Sequence, residues 1–319
     1  MKISQSLQGF KLSRLADGYS PATLTGYLSS LGILADYLDD PELTAIQPGD
    51  LKRFMLHLRT EYHPVRKSGD AAPLMTASYH RYWKAIRCFF KWAAEDLDLL
   101  RPDLDLKMPK YTNREIVPFS EQEIQQILAG CYHKAVTIKA KGQPYRCRRP
   151  IAQRDRALVL FLLDTGLRAG ELCRLRVKDV QMDTGEVQVF PYRVGKTRPR
   201  LVYLGKQSRK ALWKYLADWQ DTDIDDPLFL NDEDGQLTVR ALEGTLKMIE
   251  TTSQVTDCHP HCFRHTFAIM YLHRGGDVFT LKRFLGHATL AVVLRYVAIA
   301  ECVTASAHRK ASPVDGLRL

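Results

Sequence analysis

The chain has 319 residues, of which 45% are hydrophobic, so it is long enough for two domains that each bury an apolar core. Its net charge of +10 favours a polyanionic partner, and no apolar run approaches the roughly 18 residues that a membrane helix needs. We therefore expect no membrane partner. The first 20 residues lack the apolar run of a signal peptide, and the seven irregularly spaced cysteines indicate reduced thiols in a cytoplasm.

The first hundred residues have the apolar spacing of helices. Ser20 followed by Pro21 is typical of a helix N-terminus, and leucines then recur at helical spacing. Further helices are predicted over 48–62 and 76–94, and we interpret the aromatic face of the second as helical core. Residues 101–118 contain three prolines and show no period, which predicts an extended linker.

The part of the chain after this linker begins with another helix. Ser120 and Glu123 form a capping box that predicts a helix to about residue 130. Residues 134–150 are basic and free of acidic residues, and we predict a loop there. A helix over 151–164, with a continuous apolar run, is predicted to be buried.

Two short runs of β-forming residues follow, at 187–190 and 201–204, and predict a hairpin. From about residue 206 onward the pattern is mainly helical. We therefore predict a mainly α fold with two domains, of which the C-terminal one is mainly helical and contains a small antiparallel β-sheet.

Positive charge is concentrated in the middle of the chain. Residues 133–214 hold 20 Lys and Arg against 6 Asp and Glu, a net +14 around Arg168. Such a distribution favours contacts with a nucleic-acid backbone, although a solvated basic surface is the alternative. The candidate contact residues are Lys139, Lys141, Arg146, Arg148, Arg149, Arg193 and Arg198.

Three separated motifs carry candidate chemistry. Arg168 follows a Thr-Gly pair that is typical of a helix end, and Arg264 lies three residues after His261, on one helical face. Arginine stays charged and donates two parallel hydrogen bonds, which suits a phosphate whose charge grows in a pentacovalent transition state. Tyr296 lies nine residues after His287. Its hydroxyl is a candidate nucleophile, and the order of these residues suggests attack on a phosphodiester.

Two further residues complete the candidate site. Glu171 lies three residues after Arg168 and is predicted to brace it. Lys196 is predicted in the hairpin turn among three arginines, where a lowered pKa would let it protonate a leaving oxygen. Each residue also has an ordinary interpretation: a surface arginine, an exposed turn lysine or a half-buried core tyrosine.

A metal site is the competing interpretation of one segment. Cys258 and Cys262 are four residues apart, with three histidines close by at 259, 261 and 265. No second Cys/His pair has finger-like spacing, and a His261 that faces a phosphate is not a metal ligand. We predict no metal and no cofactor, and expect cleavage to be independent of added metal ions.

The motifs together resemble the tyrosine recombinases of the phage integrase family, with a layout similar to Xer-type resolvases and transposon integrases. The segment from Thr165 to Leu172 resembles the family's first arginine motif, and His261 to Ala268 its His-x-x-Arg motif. Leu285-Gly286-His287 with Tyr296 resembles its terminal motif.

The resemblance implies a specific chemistry and assembly. It implies cleavage and rejoining of double-stranded DNA through a 3′-phosphotyrosyl intermediate and a Holliday junction, by a homotetramer on two duplexes. It implies a helical, SAM-like core-binding domain over 1–105, a linker over 106–118 and a catalytic domain over 119–319. The implied roles are nucleophile for Tyr296, phosphate binding for Arg168, Arg264 and His287, handling of the tyrosine proton for His261, general acid for Lys196, and support for Glu171.

Two other functions share parts of this pattern. A DNA-binding regulator that keeps the fold without cutting would not be trapped covalently on nicked DNA. A type IB topoisomerase would relax DNA without producing two recombined duplexes. The DNA target, the accessory proteins and the biological task, whether integration, excision, transposition or dimer resolution, are not encoded in these motifs. We expect a cytoplasmic protein of bacterial, phage or mobile-element origin.

Overall fold

A computed structural model describes residues 1–64, 74–110, 116–137, 144–148, 151–191, 199–217, 223–286 and 289–299. The chain divides into two compact units, Met1–Arg114 and Glu115–Leu319. The described residues are mainly α-helical, with two separate two-stranded antiparallel sheets, and the predicted fold class is confirmed. No helix in these ranges has the length and hydropathy to cross a bilayer.

The described residues of the first unit form four α-helices around one apolar core. The predicted cap at Ser20 is present, because its hydroxyl accepts a hydrogen bond from the Thr23 N–H at 3.1 Å. The aromatic face of the longest helix is buried, as predicted: Tyr82, Phe89 and Phe90 are no more than 2% exposed. The helices are α1 Ile3–Ala16, α2 Pro21–Tyr37, α3 Pro48–Thr60 and α4 Thr76–Leu97.

The ordered part of the first unit continues beyond α4. Leu106 is 7% exposed within the core of this unit, and its carbonyl accepts a hydrogen bond from the Trp83 indole at 2.9 Å. The division after Arg114 falls inside the predicted linker 106–118. The predicted domain boundaries themselves stay predictions.

The second unit has a longer series of elements around the buried helix α6. Three residues of the predicted apolar run, Leu158, Val159 and Leu162, are fully buried, and α6 packs against α8 and α10. The elements are α5 Glu121–Gly130, β1 His133–Thr137, β2 Pro144–Arg148, α6 Ala152–Thr165, α7 Ala169–Leu172, β3 Glu186–Val189, β4 Arg200–Tyr203, α8 Lys206–Leu216, α9 Val239–Ser253, α10 Pro260–His273, α11 Val278–Leu285 and α12 Ala291–Ile299.

The prediction of a loop over 134–150 was wrong. Strands β1 and β2 pair antiparallel there, with His133 opposite Arg148 and Ala135 opposite Arg146. Strands rich in cations lack the alternation of apolar and polar residues by which a strand is normally predicted, which is why sequence reasoning missed them. The connection between these strands, 138–143, lies outside the described residues.

The predicted hairpin between β3 and β4 is present. Val187 pairs with Val202 and Val189 with Arg200, and the three valines are no more than 1% exposed. This register places Arg200 at the start of β4, opposite the buried Val189. Residues 192–198 of the connection lie outside the described residues.

Candidate active site

The turn before Arg168 is built on a glycine. Gly166 ends α6 in the left-handed conformation, with φ of +60°, and its N–H donates to the Leu162 carbonyl at 3.0 Å. The predicted helix end is thus present. A Cβ at Gly166 would lie 2.3 Å from the Phe267 ring, so the position requires glycine for its φ and for its size.

Gly166→Ala is expected to lower the free energy of unfolding by about 1–3 kcal/mol, the cost typical of an overpacked core. The ring of Phe267 would have to move, and alanine is strained at a positive φ. Denaturant unfolding measures the change. Gly244→Ala is the matched control, because nothing lies within 4 Å of a Cβ there and the helix α9 would gain up to about 1 kcal/mol. Equal stability of the two variants would contradict the packing argument.

Glu171 holds two arginines from different parts of the chain. Its side chain is 2% exposed and accepts two hydrogen bonds from the Arg200 guanidinium, at 2.9 and 2.7 Å. The Arg168 guanidinium donates to the same carboxylate at 3.2 Å, and the Arg168 backbone N–H donates at 3.0 Å. The predicted contact between Glu171 and Arg168 is therefore present. Arg168 remains 43% exposed, so its guanidinium is braced while it stays open to a ligand.

The charge of Glu171 depends on these partners. Burial raises the pKa of this carboxyl, but the hydrogen bonds and positive charges of Arg200 and Arg168 outweigh burial and bring the pKa below its ordinary value. The carboxylate is therefore ionised at neutral pH. Arg200 also donates from Nε to the Phe284 carbonyl at 2.7 Å, which ties β4 to α11.

Arg264 lies on α10 and is 2% exposed. Its guanidinium donates to the Gly166 carbonyl at 2.7 Å and to the Leu285 carbonyl at 2.6 Å, and so joins the ends of α6 and α11. Burial, followed by the charge of Arg168, lowers the pKa of Arg264 to about 9, which still leaves the side chain protonated at neutral pH. The two arginine motifs thus come together, about a hundred residues apart in sequence.

Tyr296 lies on α12 and is 2% exposed, in a cluster with Phe267, Leu281 and Val293. Burial raises the pKa of its phenol, and the charges of Arg264, Arg295 and Arg168 oppose that rise. The Tyr296 hydroxyl is 2.8 Å from Nδ1 of His265.

His261 lies at the start of the same helix as Arg264 but in a different environment. Its side chain is exposed, whereas that of Arg264 is buried. The two residues predicted to share one helical face therefore differ in burial. Burial of part of the ring, and then the charge of Arg264, lower the pKa of His261. Its ring centroid is 4.5 Å from that of His265. At neutral pH the ring is therefore uncharged and able to accept a proton.

Several predicted site residues lie outside the described part of the chain. These residues are Lys139, Lys141, Arg149, Arg193, Lys196, Arg198 and His287. For Arg146 and Arg148 only the backbone, in β2, is described. Their predicted roles stay predictions.

Sequence reasoning missed two residues of this site. Arg200 was noted only as a cation near Lys196, and His265 only as part of the His-x-x-Arg segment and as a possible metal ligand, without a role in the reaction. The contact of Arg200 with Glu171 spans 29 residues and that of His265 with Tyr296 spans 31. No local sequence pattern predicts contacts between residues so far apart in the chain. The available signal was that His265 directly follows Arg264 in the sequence.

The donor atoms of the competing metal interpretation have other neighbours. His259 accepts the Cys262 N–H at 3.2 Å as the cap of α10. The thiols of Cys258 and Cys262 contact different carbonyls, at 3.4 and 3.8 Å. Burial raises the pKa of these thiols to about 12 and about 11, which disfavours the thiolate form that binds zinc. Within the described ranges, no group of three His, Cys, Asp or Glu residues is arranged to hold a metal ion.

The helical fold, the two arginine motifs brought together by α6 and α10, and a tyrosine on α12, which packs against α10, define the class of tyrosine recombinases, enzymes that cut and rejoin DNA at specific sites. Comparison with known proteins gives the family. The chain belongs to the phage integrase family, whose model matches residues 118–301. The predicted family and enzyme class are thereby confirmed.

Individual relatives cover most of the chain. It is similar to tyrosine recombinase XerC of Staphylococcus epidermidis, with 27% identity over 245 residues, 75% of this chain and 77% of the relative. Its fold is similar to that of the Tn1549 transposon integrase in complex with transposon right end DNA, with a TM-score of 0.70 and 16% identity over 96% of this chain and all of that one. A lambda integrase tetramer bound to a Holliday junction gives a TM-score of 0.67 and 15% identity, over 91% of this chain and 78% of that one.

Proposed function

We propose that the chain recombines double-stranded DNA as a homotetramer on two duplexes, with Tyr296 as its nucleophile. The observation that carries this proposal is a series of contacts within one folded unit: Arg264 donates to the Gly166 carbonyl in the turn before Arg168, and the adjacent His265 lies 2.8 Å from the Tyr296 hydroxyl. The lambda integrase tetramer on a Holliday junction supports the assembly by similarity of fold. The bacterial XerC relative supports action in the cytoplasm of a bacterium or of the host of a mobile element.

In the proposed reaction, the Tyr296 oxygen attacks phosphorus and the bond to the 5′-oxygen breaks. The phenol proton passes to His261, and Lys196 protonates the departing 5′-oxygen. Arg168, Arg264 and His287 stabilise the charge on the non-bridging oxygens. The product is a 3′-phosphotyrosyl ester and a free 5′-hydroxyl. Because the ester keeps the bond energy, a 5′-hydroxyl from the second duplex reverses the step without ATP.

Covalent trapping tests this proposal. DNA fragments from the gene's own genome are first selected by binding to the protein, and a duplex with the selected sequence is then nicked close to the cleavage position. Loss of the short strand prevents religation, so the protein should accumulate as a covalent adduct with a free 5′-hydroxyl. Binding without any adduct would instead support the alternative function, a DNA-binding regulator that does not cut DNA.

The positive charge of 133–214 predicts strongly salt-dependent DNA binding. Replacing Arg146 and Arg148 with Gln should weaken binding to all sequences alike, and should make the dependence of log K on log salt shallower by up to about two. Titration at several salt concentrations measures this slope. Arg240 and Lys247, exposed on α9, provide a control with the same loss of charge and an unchanged slope. Identical slopes for the two variants would exclude β2 from the DNA interface.

A further inference from the structure

His265 contacts the candidate nucleophile, although the family resemblance assigns it no role. Its Nδ1 is 2.8 Å from the Tyr296 hydroxyl, and the two ring centroids are 5.5 Å apart. His265 directly follows Arg264 on α10, and Tyr296 lies on α12, which packs against α10. The hydrogen bond therefore links the helix of a phosphate-binding arginine to the helix of the nucleophile.

We propose that His265 is a positioning residue for strand cleavage, because its Nδ1 accepts the hydrogen bond of the Tyr296 hydroxyl and fixes the direction in which the phenolic oxygen presents its lone pairs. A phenol O–H otherwise has two planar orientations of similar energy. With the hydrogen directed at Nδ1, the lone pairs stay free for phosphorus, which lowers the entropic cost of reaching an attack geometry. This inference rests on the proposed role of Tyr296 as nucleophile.

The environment of His265 favours positioning over proton removal. Burial, with the neighbouring His261 and Arg264, lowers the pKa of His265 to about 4. The ring is uncharged at neutral pH, and in the Nε2–H tautomer, which the proposal assigns to it, Nδ1 has a lone pair with which to accept a hydrogen bond. A general base works best with a pKa near the working pH, and so weak a base is poorly suited to take the proton. In the proposed reaction the hydrogen bond to His265 breaks as the oxygen–phosphorus bond forms, and the phenol proton passes to His261, whose ring centroid is 4.5 Å from that of His265.

Two substitutions separate this role from a structural one. The side-chain oxygen of asparagine is as many bonds from Cβ as Nδ1 is, whereas that of glutamine is one bond further and corresponds to Nε2. His265→Asn should therefore keep an acceptor for Tyr296, and His265→Gln should not. On the nicked duplex, with protein in excess, adduct formation should slow about 10²-fold in His265→Gln and stay within about tenfold of the parent in His265→Asn.

Three measurements make the comparison decisive. DNA affinity should match the parent in both variants, and the thermal transition should stay within a few degrees of the parent, because one hydrogen bond contributes little to stability. His273→Gln, on the exposed end of the same helix, should cleave at the parental rate. If His265→Gln loses its thermal transition, His265→Ala takes its place as the variant without an acceptor: a rate about 10²-fold below that of His265→Asn supports the inference, and equal rates in the two folded variants overturn it.

The remaining outcomes also discriminate. Equal, slow rates in folded Asn and Gln variants would overturn the inference. A His265→Gln protein as fast as the parent, or faster, would also overturn it, and a faster rate would mean that the hydrogen bond holds Tyr296 in a resting arrangement. A parental protein that forms no adduct at all refutes the proposed function and this inference together. A parental adduct through Tyr296, with an unchanged His265→Gln rate, refutes only this inference.

Discussion

Tyr296→Phe is expected to abolish the covalent protein–DNA adduct while the protein still folds and binds DNA. The substitution removes one oxygen and keeps the ring that packs among Phe267, Leu281 and Val293. Without that oxygen no phosphotyrosyl bond forms, so cleavage should vanish instead of slowing modestly. Denaturing electrophoresis of the protein with the labelled nicked duplex measures the adduct.

The control for this result is a tyrosine in the same unit that lies outside the site. Tyr203→Phe, on β4 and 47% exposed, should leave adduct formation unchanged. Gel-shift affinity for the intact duplex should be equal in the parent and in both variants. An adduct in Tyr296→Phe would identify another residue as the nucleophile, and peptide mapping of the adduct would locate it.

Arg200→Ala is expected to lower the free energy of unfolding by about 3–5 kcal/mol, the cost of removing one partner of a buried ion pair. Arg200 is 9% exposed and supplies two of the hydrogen bonds that Glu171 accepts. Its loss leaves a buried carboxylate with Arg168 as the remaining cationic partner, and also breaks the bond to the Phe284 carbonyl. Denaturant unfolding at neutral pH measures the change.

A double variant and the pH dependence test the electrostatic cause. Glu171→Gln combined with Arg200→Ala buries no unpaired charge, so it should lose less stability than Arg200→Ala alone. Because the folded pKa of Glu171 is lowered, its ion pairs stabilise the protein above the unfolded value of about 4.3 and are lost as pH falls through the folded pKa. The difference between parent and Arg200→Ala should therefore shrink on acidification. A difference independent of pH would indicate lost packing instead.

Much of the site could be predicted from local sequence because its rules are local. The Thr-Gly turn before Arg168 needs only a left-handed residue at a helix end, and the Glu171 contact needs only a spacing of three. The buried helix α6 and the capped helix α5 follow from apolar spacing and from the hydrogen bonds between Ser120 and Glu123. Each depends on residues within about one helical turn of each other, so the chain itself brings them together.

Contacts between residues far apart in the chain depend on how the elements pack. Periodicity and local spacing encode the helical fold class and the hairpin β3–β4, so these features and the order of the motif residues follow from the amino-acid sequence. The sequence did not determine that Arg200 is the main partner of Glu171 or that His265 meets Tyr296, because those contacts depend on the register of β4 and on the packing of α12 against α10. It also did not show that Arg264 is buried and His261 exposed. Helical spacing predicts which side of the helix a residue occupies, whereas the neighbouring elements decide whether that side is covered.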